Sequence, residues 1–481
     1  MVDLLVIGGG INGVGIARDA CGRGLSVVLV ERGDLGSATS SASSKLIHGG
    51  LRYLEQYEFR LVAEALAERE TLLRTARHLV WQARFVMPHV PELRPRWMIR
   101  TGLFLYDHLA RRSLLPASAA IRLDAPPYGA GLKPEFRHGF VYSDCRVDDS
   151  RLVVCNALDA ARRGARIAVR TACLSARRHA GGWLAELASG ESVEARALVN
   201  ASGPWVKRTL DEALHQSTAD NVRLVRGSHI VLPRLYDGEH AFILQNHDRR
   251  VVFMIPYEQS FTLVGTTDVP QDRPEVAEPS DDEVAYLCAA VNRYLAKPVS
   301  PSQVGWRFAG VRPLYDDGSA DPSAITRDYT LELQDQQGAA PALSVFGGKI
   351  TTYRRLAETV LERLRPYFPR MGRPWTATAP LPGSDFDDRA AAERDLVASY
   401  PRVIPEVLHA VFRRHGGLAR EVLGDGDIGE HYGAGLCERE VHYFKSHEWA
   451  RRADDVLWRR TKAGLHLDPQ QQQRVAAVLA A

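Results

Sequence analysis

The 481-residue sequence lacks any run of about 18 apolar residues, the minimum length of a membrane-spanning helix. Residues 1–4 begin a strand at once, with no basic segment ahead of an apolar one as in a secretory leader. Internal repeats and low-complexity segments are also absent from the sequence. We therefore expect a globular protein that is cytoplasmic, with room for peripheral attachment to the inner face of the cell membrane.

Cysteine is scarce. Six cysteines are scattered along the chain, and none belongs to a CxxC pair. That spacing argues against a disulfide framework and against the usual structural zinc sites. We expect no metal centre and interpret the cysteines as small core or surface residues.

The sequence has no large excess of either charge: it contains 61 Lys+Arg and 58 Asp+Glu, which gives a net charge of +3. A nucleic-acid-binding domain usually carries a strong basic excess, so we expect no nucleic-acid partner. Lysine is the rare basic residue, at positions 45, 133, 207, 297, 349, 445 and 462 only. Lys45 and Lys349 fall inside serine- or glycine-rich motifs, where the choice of lysine over the prevalent arginine needs an explanation.

A glycine-rich turn near the N-terminus carries the clearest signal. The sequence GGGING at residues 8–13 fits GxGxxG, between a buried-strand pattern and a helix pattern. Gly8 permits the tight turn, Gly10 lets a pyrophosphate approach the backbone, and Gly13 lets the helix pack close to the strand. The helix N-terminus then offers unpaired N–H groups to the phosphates. These features predict a dinucleotide-binding unit.

Three observations bear on the choice between NAD and FAD, of which the first suits both cofactors and the other two favour FAD. Glu31 ends the second predicted strand, 18 residues after Gly13, and suits the ribose hydroxyls of either cofactor. The fingerprint begins at residue 8, as in proteins whose FAD domain opens the chain. A second glycine-rich turn, FGGKITT at residues 346–352, can direct a helix N-terminus and the charge of Lys349 at the O2/N1 edge of a flavin. We therefore predict FAD.

The remaining patterns predict the fold. Residues 224–266 hold four apolar or alternating runs with turns between them, typical of an antiparallel meander. After the Pro- and Gly-containing residues 374–383, roughly 100 residues are helical in pattern. We predict an α/β plus α+β protein: a Rossmann-like FAD-binding domain, an inserted antiparallel-sheet cap domain for the substrate, and a C-terminal helical domain. The predicted boundaries are 1–70, 140–222 and 304–366; 71–139 and 223–303; and 375–481.

Six longer motifs carry a family resemblance. They are SSKLIHGGLRYLE (43–55), YSDCRVDD (142–149), GVRPL (310–314), AITRDY (324–329), FGGKITTYR (346–354) and HEWARRADDVLWRRTK (447–462). Together they resemble the FAD-dependent, quinone-linked glycerol-3-phosphate dehydrogenases, over residues 5 to about 465. Ser202 departs from the threonine that is usual in the family, but it keeps the hydroxyl group.

The resemblance implies that sn-glycerol 3-phosphate loses a hydride from C2 to flavin N5, giving dihydroxyacetone phosphate, and that electrons then pass to a membrane quinone. It places Arg52, Tyr53, Arg312 and Arg327 at the substrate, where arginine forks suit a phosphate dianion. The resemblance also implies that Arg312 and Lys349 take part in catalysis, with Lys349 bridging substrate and flavin. The residues implied at FAD are Gly8, Gly10, Gly13, Glu31, Arg32, Thr39, Ser43, Ser44, Lys45, Ala172, Gly203, Gly348, Lys349, Thr351 and Thr352.

Several alternatives stay open. The base for the C2 hydroxyl proton is His48 or His229, because a histidine titrates in the right range. An oxidase that passes electrons to oxygen shares the fold and the substrate site, and a non-catalytic nucleotide-binding protein is a further alternative. The oligomeric state is also open, with a homodimer among the candidates.

Residues 94–112 are a candidate for membrane contact. This segment contains five arginines, at positions 94, 96, 100, 111 and 112, and a single acidic residue, Asp107. Between the arginines in the sequence lie aromatic and aliphatic residues that include Trp97 and Phe104. Basic flanks around such residues suit an amphipathic segment at a membrane surface. A core helix with a solvated edge would show the same pattern.

Overall fold

The structure is a computed structural model that describes residues 1–110, 114–218, 221–248, 250–275, 277–316 and 328–480. Its strands are β1 (Val2–Ile7), β2 (Val27–Val30), β3 (Leu46–Ile47), β4 (Val80–Pro88), β5 (Ala119–Arg122), β6 (His138–Val147), β7 (Arg166–Ala168), β8 (Cys173–His179), β9 (Gly182–Leu187), β10 (Ser192–Asn200), β11 (Val222–Pro233), β12 (Ala241–Gln245), β13 (Val251–Tyr257), β14 (Phe261–Gly265), β15 (Val269–Pro270), β16 (Trp306–Tyr315), β17 (Thr330–Gln336), β18 (Ala339–Phe346), β19 (His431–Gly433) and β20 (Leu436–Cys437). Its α-helices are α1 (Ile11–Gly22), α2 (Phe59–Thr75), α3 (Arg96–His108), α4 (Asp149–Arg162), α5 (Val206–Arg208), α6 (Asp281–Asn292), α7 (Tyr353–Leu364), α8 (Arg389–Ser399), α9 (Pro405–His415), α10 (Ala419–Leu423), α11 (Glu438–His447) and α12 (Pro469–Ala480).

The first sheet is the predicted dinucleotide-binding layer. Its parallel strands lie in the order β7-β2-β1-β10-β18, with β17 antiparallel at one edge and the hairpin β8–β9 attached to β10. Helices α1, α4 and α7 cover one face, where their apolar side chains join those of the strands in one buried cluster. Because a parallel strand must be covered on both faces, its residues form apolar runs, and β1 and β2 show this. The predicted Rossmann-like domain is confirmed.

The second sheet joins β15-β11-β14-β13-β12-β4-β6-β3, with β16 paired to β11 and β5 paired to β6. The meander prediction needs a correction. Strands β12, β13 and β14 do follow one another, but β11 pairs with β14 and with β16 instead of β12. The reason is that β11 pairs with β14 and β15 as well as with the 10-residue strand β16, which leaves no free edge of β11 for β12.

Helices cover both faces of the second sheet. α6 begins at a capping box, in which the Ser280 hydroxyl accepts the Glu283 N–H, and it packs on one face through Val284, Leu287 and Val291. On the other face, α2 and α3 contribute buried residues such as Leu66 and Leu103. No helix in the described parts of the chain is long and apolar enough to cross a bilayer.

The C-terminal region, from α8 to α12, has its own buried core around Val407, Phe412 and Phe444. Buried ion pairs attach it to the first sheet's layer. Arg151 of α4 donates to Glu448 at 2.9 Å, and Arg460 donates to Asp34 at 2.8 Å. Breaking a buried pair of this kind is strongly destabilising, because it leaves a charge without its partner. The helical C-terminal part of the fold prediction is confirmed.

Candidate active site

A cavity of about 620 Å³ opens at the carboxyl ends of the parallel strands and extends to the second sheet. In open α/β sheets this edge is where ligands bind, because the strand order reverses there and leaves a crevice. Its lining includes the loops after β1, β2, β10 and β18, the serine-rich loop, and residues of β11 and β16.

The glycine turn forms one wall of this cavity. Gly8 has φ +114°, and a Cβ there would lie 2.5 Å from the Ala201 carbonyl oxygen. A Cβ on Gly13 would lie 1.9 Å from the carbonyl oxygen of Gly8. Gly10 is the N-cap of α1 and lines the cavity, and the N–H of Ile11 next to it donates to Ser40 Oγ at 3.0 Å. The backbone therefore offers an anion the close approach that a pyrophosphate needs.

Glu31 lies where β2 ends. Its carboxylate accepts N–H groups from Gly9 and Gly33, both at 2.7 Å, and the residue lines the cavity. Burial raises the pKa of the Glu31 carboxyl, and the two backbone N–H groups oppose that shift. The carboxylate is thus held rigidly at the position from which it can accept hydroxyl groups of a ribose.

The far end of the cavity contains a cation and an aromatic ring. The Arg32 guanidinium lies 3.9 Å from the centre of the Trp205 ring, and Ala172 and Gly203 line the same end. Trp205 was not predicted from the sequence. Its position directly after the turn that ends β10 is the signal that could have found it, because such turns lie at the ligand-binding edge of the sheet.

The second glycine turn, after β18, forms the opposite end. Gly347 and Gly348 have φ +82° and +99°, and the carbonyl of Gly347 accepts a 3.3 Å hydrogen bond from Asn12 Nδ2. Asn12 Oδ1 is buried and has no partner within the described structure, although the residue lines the cavity. The Lys349 ammonium lies 4.0 Å from the centre of the Tyr53 ring. Thr351 also lines this end, and its hydroxyl accepts the His48 N–H at 3.3 Å.

Arg312 projects into the cavity from β16. Its Nη2 donates to Thr266 Oγ1 at 2.9 Å, and its Nη1 forms an ion pair with Asp268. Across the strand pair, a Cβ on Gly227 would lie 2.1 Å from Arg312 Nη2, so glycine at this position leaves room for the guanidinium over β11. The arginine is thereby fixed in one orientation with part of its fork exposed to the cavity.

Both candidate histidines line the cavity. His229 is 2% exposed, its Nε2 lies 2.9 Å from Ser44 Oγ, and its ring is stacked on Phe308. Burial, reinforced by the charges of Arg312 and Lys45, holds the pKa of His229 well below its ordinary value. Burial also lowers the pKa of His48, although Asp144 opposes the shift. Both rings are therefore neutral at pH 7 and able to accept a proton.

The structure does not bring every predicted residue to the cavity. Lys45 adopts φ +57°, and its ammonium contacts both carboxylate oxygens of Asp149 at 3.0 Å. Thr39, Ser43 and Ser44 do line the cavity, whereas Gly13, Lys45, Arg52 and Thr352 do not. Arg327 lies outside the described residues.

A glycine cradle, a carboxylate at a ribose position and the turn that carries Lys349 at the opposite end define the class of flavin-dependent oxidoreductases. FAD fits the residues present: Gly8 and Gly13 let the turn and α1 pack more closely than a Cβ would allow, and the buried Asn12 Oδ1 lacks a donor among the described residues.

Comparison with known proteins supports this assignment. Residues 3–354 match the family model described as FAD dependent oxidoreductase, and residues 374–481 match the C-terminal domain of alpha-glycerophosphate oxidase. The glycerol-3-phosphate dehydrogenase of Pseudomonas aeruginosa is 54% identical over 99% of this chain and 94% of its own length. The aerobic glycerol-3-phosphate dehydrogenase of Escherichia coli is 51% identical over 98% and 96%. The D-erythritol 1-phosphate dehydrogenase of Brucella abortus is 48% identical over 97% and 95%.

A solved structure shows the same fold. The glycerol-3-phosphate dehydrogenase of Bacillus halodurans, solved with FAD, has a TM-score of 0.73 at 24% identity and covers 100% of this chain and 94% of its own. The chain belongs to the FAD-dependent glycerol-3-phosphate dehydrogenase family.

A Gly13→Ala substitution tests the cradle. We expect FAD affinity to fall by about ten- to a hundredfold, because the new methyl group overpacks the backbone of Gly8 at a cost of about 1–3 kcal/mol. The measurement is the ratio of flavin to protein absorbance after purification and dialysis. Gly102→Ala is the control, since nothing lies within 4 Å of a Cβ there. Full retention of flavin in the Gly13 variant would contradict the assignment.

Proposed function

We propose that the protein oxidises sn-glycerol 3-phosphate to dihydroxyacetone phosphate at the cytoplasmic face of the cell membrane and passes the electrons to a membrane quinone. The observation that carries the proposal is the position of Arg312 and His229. They lie on neighbouring strands at the flavin end of one cavity, so an anion site and a proton acceptor serve the same bound molecule.

The chemistry divides into three parts. FAD, when bound, supplies the two-electron acceptor for the hydride that leaves C2. The fork of Arg312 and the ammonium of Lys349 bind the phosphate and orient C2 toward the flavin end. Tyr53, which lines the cavity, and Arg327 are proposed as further contacts, whereas Arg52 does not line the cavity. A neutral histidine takes the hydroxyl proton as the C2–H bond breaks, which leaves a ketone.

The substrate class is a polyol phosphate with a secondary alcohol. The relatives named for glycerol 3-phosphate and for D-erythritol 1-phosphate differ little in their identity to this chain. We favour glycerol 3-phosphate because the most similar of the relatives described above carry that name. D-erythritol 1-phosphate is the competing substrate to test.

The test is anaerobic mixing of the oxidised holoenzyme with each candidate while flavin absorbance is followed. We expect sn-glycerol 3-phosphate to bleach the flavin and glycerol or a D-amino acid to leave it oxidised, because neither has a phosphate for the arginine fork. Faster bleaching by glycerol or by a D-amino acid would overturn the phosphate assignment. Faster bleaching by D-erythritol 1-phosphate would keep the reaction and change the substrate.

The electron acceptor has a second candidate, because an oxidase would share this fold and substrate site. A second measurement separates the two. Hydrogen peroxide formed at the rate of substrate loss would favour the oxidase, and reduction of a soluble quinone with little peroxide would favour the dehydrogenase.

Helix α3 is the proposed membrane contact. Ile99, Leu103 and Tyr106 are buried against the second sheet. The opposite face exposes Trp97 to 69% and Phe104 to 54%. At about 100° per residue, Trp97 and Phe104 lie on one side of the helix and the buried residues on the other. A helix that is apolar on its exposed side as well suits insertion into the headgroup region of a bilayer. Arg111 and Arg112 of the predicted segment lie outside the described residues.

Replacing both Trp97 and Phe104 with serine is expected to release the protein from anionic vesicles, because most of the exposed apolar area of α3 is lost. The measurement is vesicle sedimentation, with dye-linked activity expected to stay unchanged. Ile404→Ser is the matched control, since it removes an apolar side chain exposed to 43% in the C-terminal region. Unaltered sedimentation of the double variant with the vesicles would contradict the proposal that α3 contacts the membrane.

A further inference from the structure

A second cavity, of about 470 Å³, lies between the second sheet and the C-terminal helices. It shares no lining residue with the flavin cavity. Strands β4, β6 and β13 form one side, and Arg389, Arg413 and Lys462 close the other. Lys45 forms part of its wall, so this cavity contains the lysine that the flavin cavity does not.

The lining of this second cavity carries a positive excess. Its cations are Lys45, Arg146, Arg234, Arg389, Arg413 and Lys462, and its carboxylates are Asp148, Glu239 and Glu258. The carboxylates are already engaged. Glu258 binds Arg413, Glu239 accepts from Arg234 at 2.8 Å, and Asp148 caps α4 by accepting the Arg151 N–H at 3.2 Å.

Two arginines have no comparable partner. The guanidinium groups of Arg146 and Arg389 flank the Trp81 ring at 5.6 and 5.8 Å from its centre. The nearest carboxylate oxygen to Arg146 belongs to the exposed Glu239, at 3.9 Å, and no hydrogen bond from either guanidinium is found among the described residues. Burial lowers the pKa of both groups, although Glu239 and Glu258 oppose the shift at Arg146 and Glu393 opposes it at Arg389.

A buried hydroxyl group points to a ligand independently. Tyr257 is 5% exposed and lines the cavity, but its hydroxyl has no hydrogen-bond partner within the described structure. Leaving a buried donor unsatisfied costs about 1–3 kcal/mol, and native structures seldom tolerate it without a reason. A bound anion would accept from this hydroxyl and from both arginine forks together.

We propose that this cavity is a second ligand site, which binds a small phosphorylated metabolite as a multiply charged anion between Arg146, Arg389 and Tyr257. Arginine forks match phosphate oxygens in pairs, and the Trp81 ring offers a flat surface to the rest of the molecule. The site adjoins the active site, because Lys45 in its wall directly follows Ser44, the residue that contacts His229. Its existence does not depend on the identity of the substrate.

Inorganic pyrophosphate is the probe, and the oxidised holoenzyme is the sample. We expect pyrophosphate to raise Tm and to give a binding isotherm by calorimetry. Arg146→Gln and Arg389→Gln should each weaken binding at least tenfold, whereas Arg402→Gln, which removes an exposed arginine elsewhere, should leave it unchanged. Tyr257→Phe removes only the unpaired hydroxyl and should weaken binding without loss of folding.

A variant in the flavin cavity distinguishes the two anion sites. Arg312→Gln should keep the pyrophosphate-induced rise in Tm, because Arg312 does not line the second cavity. Loss of the rise in Arg312→Gln together with its retention in Arg146→Gln would place the anion in the flavin cavity and overturn the proposal. Absence of any pyrophosphate binding would also overturn it, whatever the substrate is found to be.

The two possible roles of Arg146, in ligand binding or in stabilising the fold, predict opposite effects of its replacement on Tm. Without pyrophosphate, Arg146→Gln should unfold at the same or a higher temperature than the parent protein, because a partly buried cation without a close carboxylate is removed. A lower Tm for this variant, with pyrophosphate binding intact, would assign the arginine a structural role instead.

Discussion

Replacing Arg312 with lysine is expected to lower kcat/KM for sn-glycerol 3-phosphate by about 10²- to 10³-fold. A lysine keeps the charge but loses the fork, and with it the charge-assisted hydrogen bonds, worth about 1.5–3 kcal/mol each. At 1.36 kcal/mol per tenfold in rate, the stated range corresponds to a loss of about 2.7–4.1 kcal/mol, which lies within what one or two such bonds contribute. The measurement is steady-state kinetics with a soluble quinone.

The same strand supplies the control. Arg307 also lies in β16, but it pairs with Asp281 at 2.6 Å and its side chain is 49% exposed outside the flavin cavity. Arg307→Lys should therefore change kcat/KM less than twofold. If Arg312→Lys behaves like Arg307→Lys, then Arg312 does not bind the phosphate, and the substrate lies elsewhere in the cavity.

The dinucleotide cradle could be predicted because its demands are local. Gly8 and Gly13 are required by the turn and by the helix that follows it, Gly10 lets a pyrophosphate approach the backbone, and strand, turn and helix occupy one short stretch of sequence. The parallel strands could also be predicted from the sequence, since burial on both faces requires an uninterrupted apolar run. For the same reason the fold class could be predicted before any contact was known.

Lys45 shows a limit of prediction from local sequence patterns. The serine-rich motif indicated the residue types that wrap a phosphate, but it carried no information on the direction of each side chain. A left-handed backbone at Lys45 and a carboxylate 104 residues away, on Asp149, turn the ammonium toward the second cavity. That pairing depends on how β3 and α4 are brought together, which no local pattern encodes.

Arg312 and Gly227 give a second example. The motif around Arg312 marked it as a substrate contact, whereas the need for glycine at position 227 follows only from the pairing of β11 with β16. The same pairing brings His229 to the side of Arg312. The sequence alone therefore could not decide between His48 and His229 as the catalytic base. The register between the distant strands β11 and β16 gives a reason to prefer His229.

His229→Asn is expected to lower kcat by about 10²- to 10⁴-fold, the usual contribution of a general base. We propose His229 as the base because it shares the strand and face of Gly227, over which Arg312 lies, and alternate residues of a strand face the same side. Its Nε2 is oriented by Ser44, and its ring is held against Phe308. Asparagine keeps a polar group of similar size but cannot accept the proton.

His48→Asn is the matched comparison, since His48 lines the same cavity and is also neutral. We expect it to reduce kcat less than tenfold, because the charge of Arg312 acts on the His229 ring, whereas the charges that act on the His48 ring are those of Asp144, Lys349 and Arg69. Equal losses in the two variants would leave neither as the single base. A large loss confined to His48→Asn would transfer the assignment to His48.

The pH profile separates a base from a residue that only positions the substrate. Burial and the charges of Arg312 and Lys45 hold the pKa of His229 well below its ordinary value of 6.5. The proton-accepting form therefore persists as the pH falls, so kcat should stay level from neutral pH down through 6.5 and decline only below it. In His229→Asn that acid limb should disappear along with most of the rate. An acid limb that persists unchanged in this variant would assign the titrating group to another residue, and His48→Asn would then be the variant in which to look for its loss.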